Sequence, residues 1–156
     1  MKRLIVIFIF LLLVFPLAAQ EHDHDHSEYH LAAGIGGTYL FSENRVMPGI
    51  HFHAMKNLGH KFSAGLGLET LVDEHSHYSV TLLAGYSPIE NLIVEAGPGL
   101  TFSKHEDDWE QSLSAHIECI YEINLHYFHV GPMVGLGIDH DETHATLGIH
   151  LGIGIH

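Results

Sequence analysis

From Tyr29 onward apolar and polar residues alternate with a period of two almost to the end of the chain. In the first stretch Leu31, Ala33, Ile35, Tyr39 and Phe41 share one face, and His30, Gly34, Gly36 and Thr38 share the other. The same split sets Val46, Ile50 and Phe52 against Gly49, His51 and His53, and then Phe62, Leu66 and Leu68 against Ser63, Gly67 and Glu69. Five more stretches follow, centred near Leu82, Ala96, Ala115, Val134 and Ile149. The last sets Ala145, Leu147, Ile149, Leu151, Ile153 and Ile155 against Thr146, Gly148, His150, Gly152 and Gly154. That predicts eight strands of about 10 to 13 residues, long enough to cross a bilayer at a tilt. No helical period competes with them.

The faces decide the solvent. Fourteen of the 16 glycines, all but Gly37 and Gly59, lie on the less apolar face with Ser, Thr, His and Glu. A soluble eight-stranded barrel shows Lys, Glu and Thr to water, and a water-facing surface made largely of glycine does not fit that pattern. A narrow lumen does, because small residues leave room for a few large polar ones. The opposite face is Leu, Ile, Val, Ala and Phe, with aromatics near strand ends at Tyr29, Phe41, Tyr86, Phe102, Trp109 and Tyr121. Lipid accepts such a face between two aromatic girdles. The expected fold is all-β: an eight-stranded antiparallel up-and-down transmembrane β-barrel with apolar residues outward and a Gly/Ser/His/Glu lumen.

What precedes the barrel has two parts. Residues 1–19 read as a signal peptide, with Lys2 and Arg3, the apolar run Leu4–Phe15, and Ala18-Ala19 at the cleavage point. Residues 20–28 are an acidic, His-rich segment expected to be disordered, and residues 29–156 are the barrel. Removing the leader takes two of the six cations, leaving 4 basic against 19 acidic residues, or −15 with neutral His. Four scattered cations exclude a nucleic-acid binder. Cys119 alone excludes a disulfide scaffold.

An export signal, eight alternating strands and short turns resemble the small outer-membrane β-barrel proteins of Gram-negative bacteria, of the OmpX-like and OmpA-transmembrane-domain type. The resemblance covers residues 29–156 by pattern, without an invariant motif. It implies an outer-membrane location, with lipid as a partner and the N-terminal segment in the periplasm. Such chains usually end on an aromatic residue, and this one ends Gly154-Ile155-His156.

Histidine supplies the candidate chemistry, in three places. The N-terminal segment alternates His22, Asp23, His24, Asp25 and His26, a donor set for Zn²⁺, Cu²⁺ or Ni²⁺. Three predicted outer loops mix His with acids, offering His75 and His77, His105, and Asp139, His140 and His144 as ligands. In the lumen, His51 and His53 share a face. A hairpin turning at Asn57–Gly59 places Glu69 diagonal to His51, with Gly65 and Gly67 beside the imidazoles. A tight turn at Ile123–Asn124 places Glu118 opposite His129, with His116 one step along. His77, Glu95, Glu110 and His150 complete the inward set. The bland reading of the lumen is a packed, hydrogen-bonded polar core in which His replaces Arg or Lys.

The expected function is binding or buffering of a divalent transition metal, Zn²⁺ first and Ni²⁺ or Cu²⁺ next, for a separate metal transporter. The alternatives are a structural or adhesive barrel whose His/Glu core has no metal role, and a lipid-modifying enzyme. For the latter, His77 with Ser79 and Ser114 with His116 are the Ser–His pairs the chain offers, both on the lumenal face. No enzyme activity is expected.

Overall fold

A computed structural model describes residues 28–72, 77–105, 108–125 and 128–155; residues 1–19, expected to be a signal peptide, and most of the acidic segment lie outside them. The strands are β1 (Tyr29–Leu40), β2 (Arg45–Asn57), β3 (Phe62–Leu71), β4 (His77–Ile89), β5 (Leu92–His105), β6 (Asp108–Tyr121), β7 (Ile123–Leu125), β8 (Phe128–Ile138) and β9 (Thr143–Ile155). They form one antiparallel sheet in the order β6-β5-β4-β3-β2-β1-β9-β8-β7, and β6 also pairs with β8. The sheet is therefore closed. β6 and β7 hold a single register against β8, since Ile120 faces Met133 and Ile123 faces Val130. They are one stave interrupted at Glu122, so the barrel has eight staves, as the alternation predicts.

A walk around the ladders fixes the geometry. From Gly34 one direction passes His51, Glu69, Ser79 and Thr101 to reach Ser112. The other passes His150 and Gly131 to the position of Glu122. The mismatch, 122 − 112 = 10 residues, is the shear. With eight strands it tilts each by roughly 40° from the axis.

The outer surface is a continuous apolar band, with Leu113 80% and Ile35 67% exposed. Water does not support such a band, and acyl chains do. Aromatics mark both ends: Phe62 packs with Tyr86 at the rim that holds the strand termini, and Tyr78 with Trp109 at the far rim. The terminal rim carries the turns after β2, β4 and β7, where Gly59 takes a φ of 137° that a side chain would strain. The far rim carries the connections after β1, β3, β5 and β8.

The expected inward faces are borne out strand by strand, and the turns account for two differences. The β2–β3 turn occupies Leu58–Lys61, closed by the Leu58 amide donating to the Phe62 carbonyl. His51 therefore stands directly across from Glu69, His53 across from Gly67, and Met55 across from Gly65. The stave of β6 runs on through β7 to Leu125, which pairs with Phe128. Glu118 consequently faces Gly135, and His129 faces Asn124. The lumen also holds apolar residues beside the polar ones: Leu40, Met47 and Leu71 form a buried cluster toward the far rim, and Ile120 and Met133 are each 1% exposed.

Candidate metal centre

Strand alternation aims the site residues inward, and glycine makes room for them. His51, His53, His116, His129, His144 and His150 each have a glycine as a ladder partner on a neighbouring strand. An added Cβ at Gly34, Gly137 or Gly152 would strike the rings of His51, His144 and His129 respectively. Each imidazole thus lies over the bare backbone of the next strand.

These side chains and four glutamates form a file along the barrel axis. Toward the far rim, Glu69 Oε2 lies 3.6 Å from His144 Nε2 and 3.7 Å from His116 Nδ1. His116 Nε2 meets Glu118 Oε2 at 3.2 Å. Glu118, 1% exposed, is also 3.9 Å from His51 Nε2 and 3.8 Å from His53 Nε2. His53 Nδ1 is 2.8 Å from Glu95 Oε2, a hydrogen-bonding distance without the alignment of a hydrogen bond. The His150 ring stacks between His51 and His129, at centroid distances of 6.0 and 5.5 Å. Toward the terminal rim, Glu122 Oε1 is 2.9 Å from His129 Nε2 and 4.0 Å from His150 Nε2.

Among the described residues, three sets of donors converge: Glu69, His116 and His144; His51, Glu118 and His150; Glu122, His129 and His150. Within each set one ligand atom per residue lies within 4.8 Å of the others. Imidazole nitrogen with carboxylate oxygen is a donor set for Zn²⁺. Glu95 and Glu118 are direct ladder partners. Like charges placed opposite each other are destabilising, and more so when buried. Among the described residues, the one Lys or Arg in phase with them on the strands, Arg45, is exposed at the far end of β2 and pairs with Glu43, away from these carboxylates. Several buried donors have no hydrogen-bond partner, among them His51 Nε2, Glu118 Oε1, His150 Nδ1 and both ring nitrogens of His144. Such atoms cost free energy unless something binds them.

The expected ligands are distributed differently from their sequence neighbourhoods. His51, His53, Glu69, His116, Glu118 and His129 line the lumen, though His129 meets Glu122 and not Glu118. His77 and His144, expected on loops, belong to β4 and β9. His144 joins Glu69, and His77 lies 3.9 Å from Asp139 and 3.2 Å from the Ser103 hydroxyl. His140 is exposed and bonds its neighbour Asp141 at 2.7 Å, which holds its pKa above the ordinary histidine value. Asp139 Oδ1 accepts from the amides of Asp141 and Glu142. His22, His24, His26 and His75 lie outside the described residues, as does the side chain of His105. Glu122 and His150 are the members the sequence reading left out of the ligand set. The alternation already sets both on the inward face; what it does not show is that they converge with His129, which depends on register between strands.

The Ser–His pairs part company. The Ser79 hydroxyl bonds Thr101 at 2.8 Å, while His116 bonds Glu118.

No family model and no curated protein matches the chain. Solved structures match its fold. Neisserial surface protein A superposes with a TM-score of 0.63 at 7% identity, covering 85% of this chain and all of that one. Ail, the attachment invasion locus protein of Yersinia pestis, gives 0.59 at 13% identity, covering 82% and 98%. The N-terminal β-barrel domain of Pseudomonas aeruginosa OprF gives 0.58 at 13%, covering 83% and 98%. The fold is that of the small eight-stranded transmembrane β-barrels.

Proposed function

We propose that this barrel sits in a bacterial outer membrane and binds a divalent transition metal, Zn²⁺ before Ni²⁺ or Cu²⁺, inside its lumen. The observation that carries the reading is the file of three His/Glu donor sets among the described residues, two of them buried and one half-buried, with the inward-phase Arg45 held at the far rim beside Glu43. After removal of residues 1–19, the terminal rim and its acidic segment face the periplasm. His22, His24 and His26 then add weak sites that raise the local metal concentration for a separate transporter. The protein buffers and does not catalyse. The outer loops contribute less than their composition implies, since Asp139 and His140 already serve the loop's own hydrogen bonds.

Calorimetric Zn²⁺ titration of the refolded protein in detergent, with and without residues 20–27, tests this. Binding at micromolar or tighter Kd, at least about 8 kcal/mol, should survive removal of the segment. It should fall at least tenfold in a His51→Ala/His150→Ala double variant. Binding that disappears with the segment would reduce the barrel to an anchor. No binding at all would leave the lumen as a hydrogen-bonded polar core, in which each of Glu69, Glu95, Glu118 and Glu122 has a histidine within 4 Å.

A further inference from the structure

We infer that the metal reaches the lumen from one end only, through a vestibule at the terminal rim, and that Glu122, His129 and His150 form its first binding site. The inference rests on the metal-binding reading above and adds a route and a starting point to it.

A cavity of about 610 Å³ opens at the terminal rim between the β2–β3 turn at His60, the end of β4 at Ser87 and β7 at Asn124. Glu122, His129 and His150 line its inner wall together with His53 and Glu95. Beyond that wall the free space among His51, His53, Glu69 and His116 shrinks to about 10 Å³. That is roughly the space of a single water molecule. A hydrated cation fills the vestibule easily and cannot pass further without exchanging its waters for protein ligands. Toward the far rim, Leu40, Met47 and Leu71 form a buried apolar cluster that offers a cation no nitrogen or oxygen ligand.

The donor chemistry agrees with the shape. Two imidazoles and one carboxylate hold Zn²⁺ while leaving a fourth position open. All three residues line the vestibule, so an ion held by them would stay in exchange with solution. His150 also belongs to the inner set with His51 and Glu118. An ion held by Glu122 and His129 is therefore one ligand exchange from the deeper site, and the two sites compete for the same imidazole.

Stopped-flow Co²⁺ loading of the full-length chain in detergent, where both ends meet solution, tests the route through the d–d absorbance of tetrahedral Co²⁺. Glu122→Gln should remove one kinetic component. In a Cys119→Ser background, a bulky polyethylene-glycol maleimide on Ser87→Cys, at the vestibule mouth, should slow that component at least tenfold. The same label on Ser42→Cys, at the far rim, should change it less than twofold. If Co²⁺ binds but no component depends on Glu122, the first-site assignment is wrong while the metal reading stands. If the far-rim label slows loading and the vestibule label does not, the route is wrong. If the unlabelled protein binds no Co²⁺, the metal reading falls and the inference with it.

Discussion

At Gly34 the absence of a side chain is what lets the His51 ring lie flat against β1, since a Cβ there would overlap its Nε2 and Cε1. Gly34→Ala should therefore displace His51, costing about 1–3 kcal/mol of stability as overpacking does. It should also weaken Zn²⁺ binding about tenfold or more in the same titration. Gly37, on the outward face, is the control: its added Cβ meets only Val46 Cγ1 at 3.4 Å, and Gly37→Ala should leave both properties in place. A Gly34→Ala variant that binds Zn²⁺ normally would separate His51 from the site. The sequence already showed glycines sharing a face with histidines. Which glycine lies under which ring was not legible, because that depends on register between strands.

Register belongs to the elements. Moving the β2–β3 turn from Asn57–Gly59 to Leu58–Lys61 changes Glu69 from a diagonal neighbour of His51 into its direct partner. The alternation of Ile123, Asn124 and Leu125 already signalled that the sixth stave runs past Tyr121. The dipeptide Ile123–Asn124 read as a turn only because the stretch after Glu122 is short. The connections also hold themselves together. Glu142 accepts the Ser42 hydroxyl and, at 3.1 Å, the Ser42 amide, tying the β1–β2 loop to the β8–β9 loop. Burial pushes the Glu142 carboxyl up, and the bonds from Ser42, Thr143 and Phe41 outweigh it, so its pKa lies below the ordinary carboxylate value. A depressed folded value means the tether contributes stability above the unfolded pKa and is lost as pH falls through the folded one. The Ser42 amide shift should accordingly stay constant from neutral pH down through the ordinary carboxylate range and move only below it. A transition near pH 6 would show the tether to be controlled by another group. His140 has the opposite sign. Asp141 holds it protonated to higher pH, a contribution present below the ordinary histidine value and lost as pH rises through the raised one. A proton held there competes with metal, so His140→Ala should change Zn²⁺ affinity less than twofold at neutral pH.

For the whole molecule, the alternation was enough to give the barrel, its outward face and its lumen, because period-two patterning and a glycine-rich inner surface have few other solutions. The depth order of the inward residues was not readable. It follows from the strand registers, which bring His150 level with His51 across Gly34 and set Glu122 beside His129 on the neighbouring strand. The result is a lumen in which Glu69, Glu95, Glu118 and Glu122 each have a histidine within 4 Å, while Arg45 stays at the far rim beside Glu43. A ligand that binds the folded barrel alone must stabilise it. At about one hundred times its Kd, Zn²⁺ should add about 2.7 kcal/mol, read as a higher melting temperature that EDTA reverses. The most direct measurement is anomalous diffraction at the zinc edge from crystals of the full chain grown with Zn²⁺. The expected result is a peak inside the barrel about 2.0–2.2 Å from donor atoms of Glu122, His129 and His150, or of the neighbouring set with His51 and Glu118. Peaks confined to the rims, with none in the lumen, would contradict a lumenal metal site.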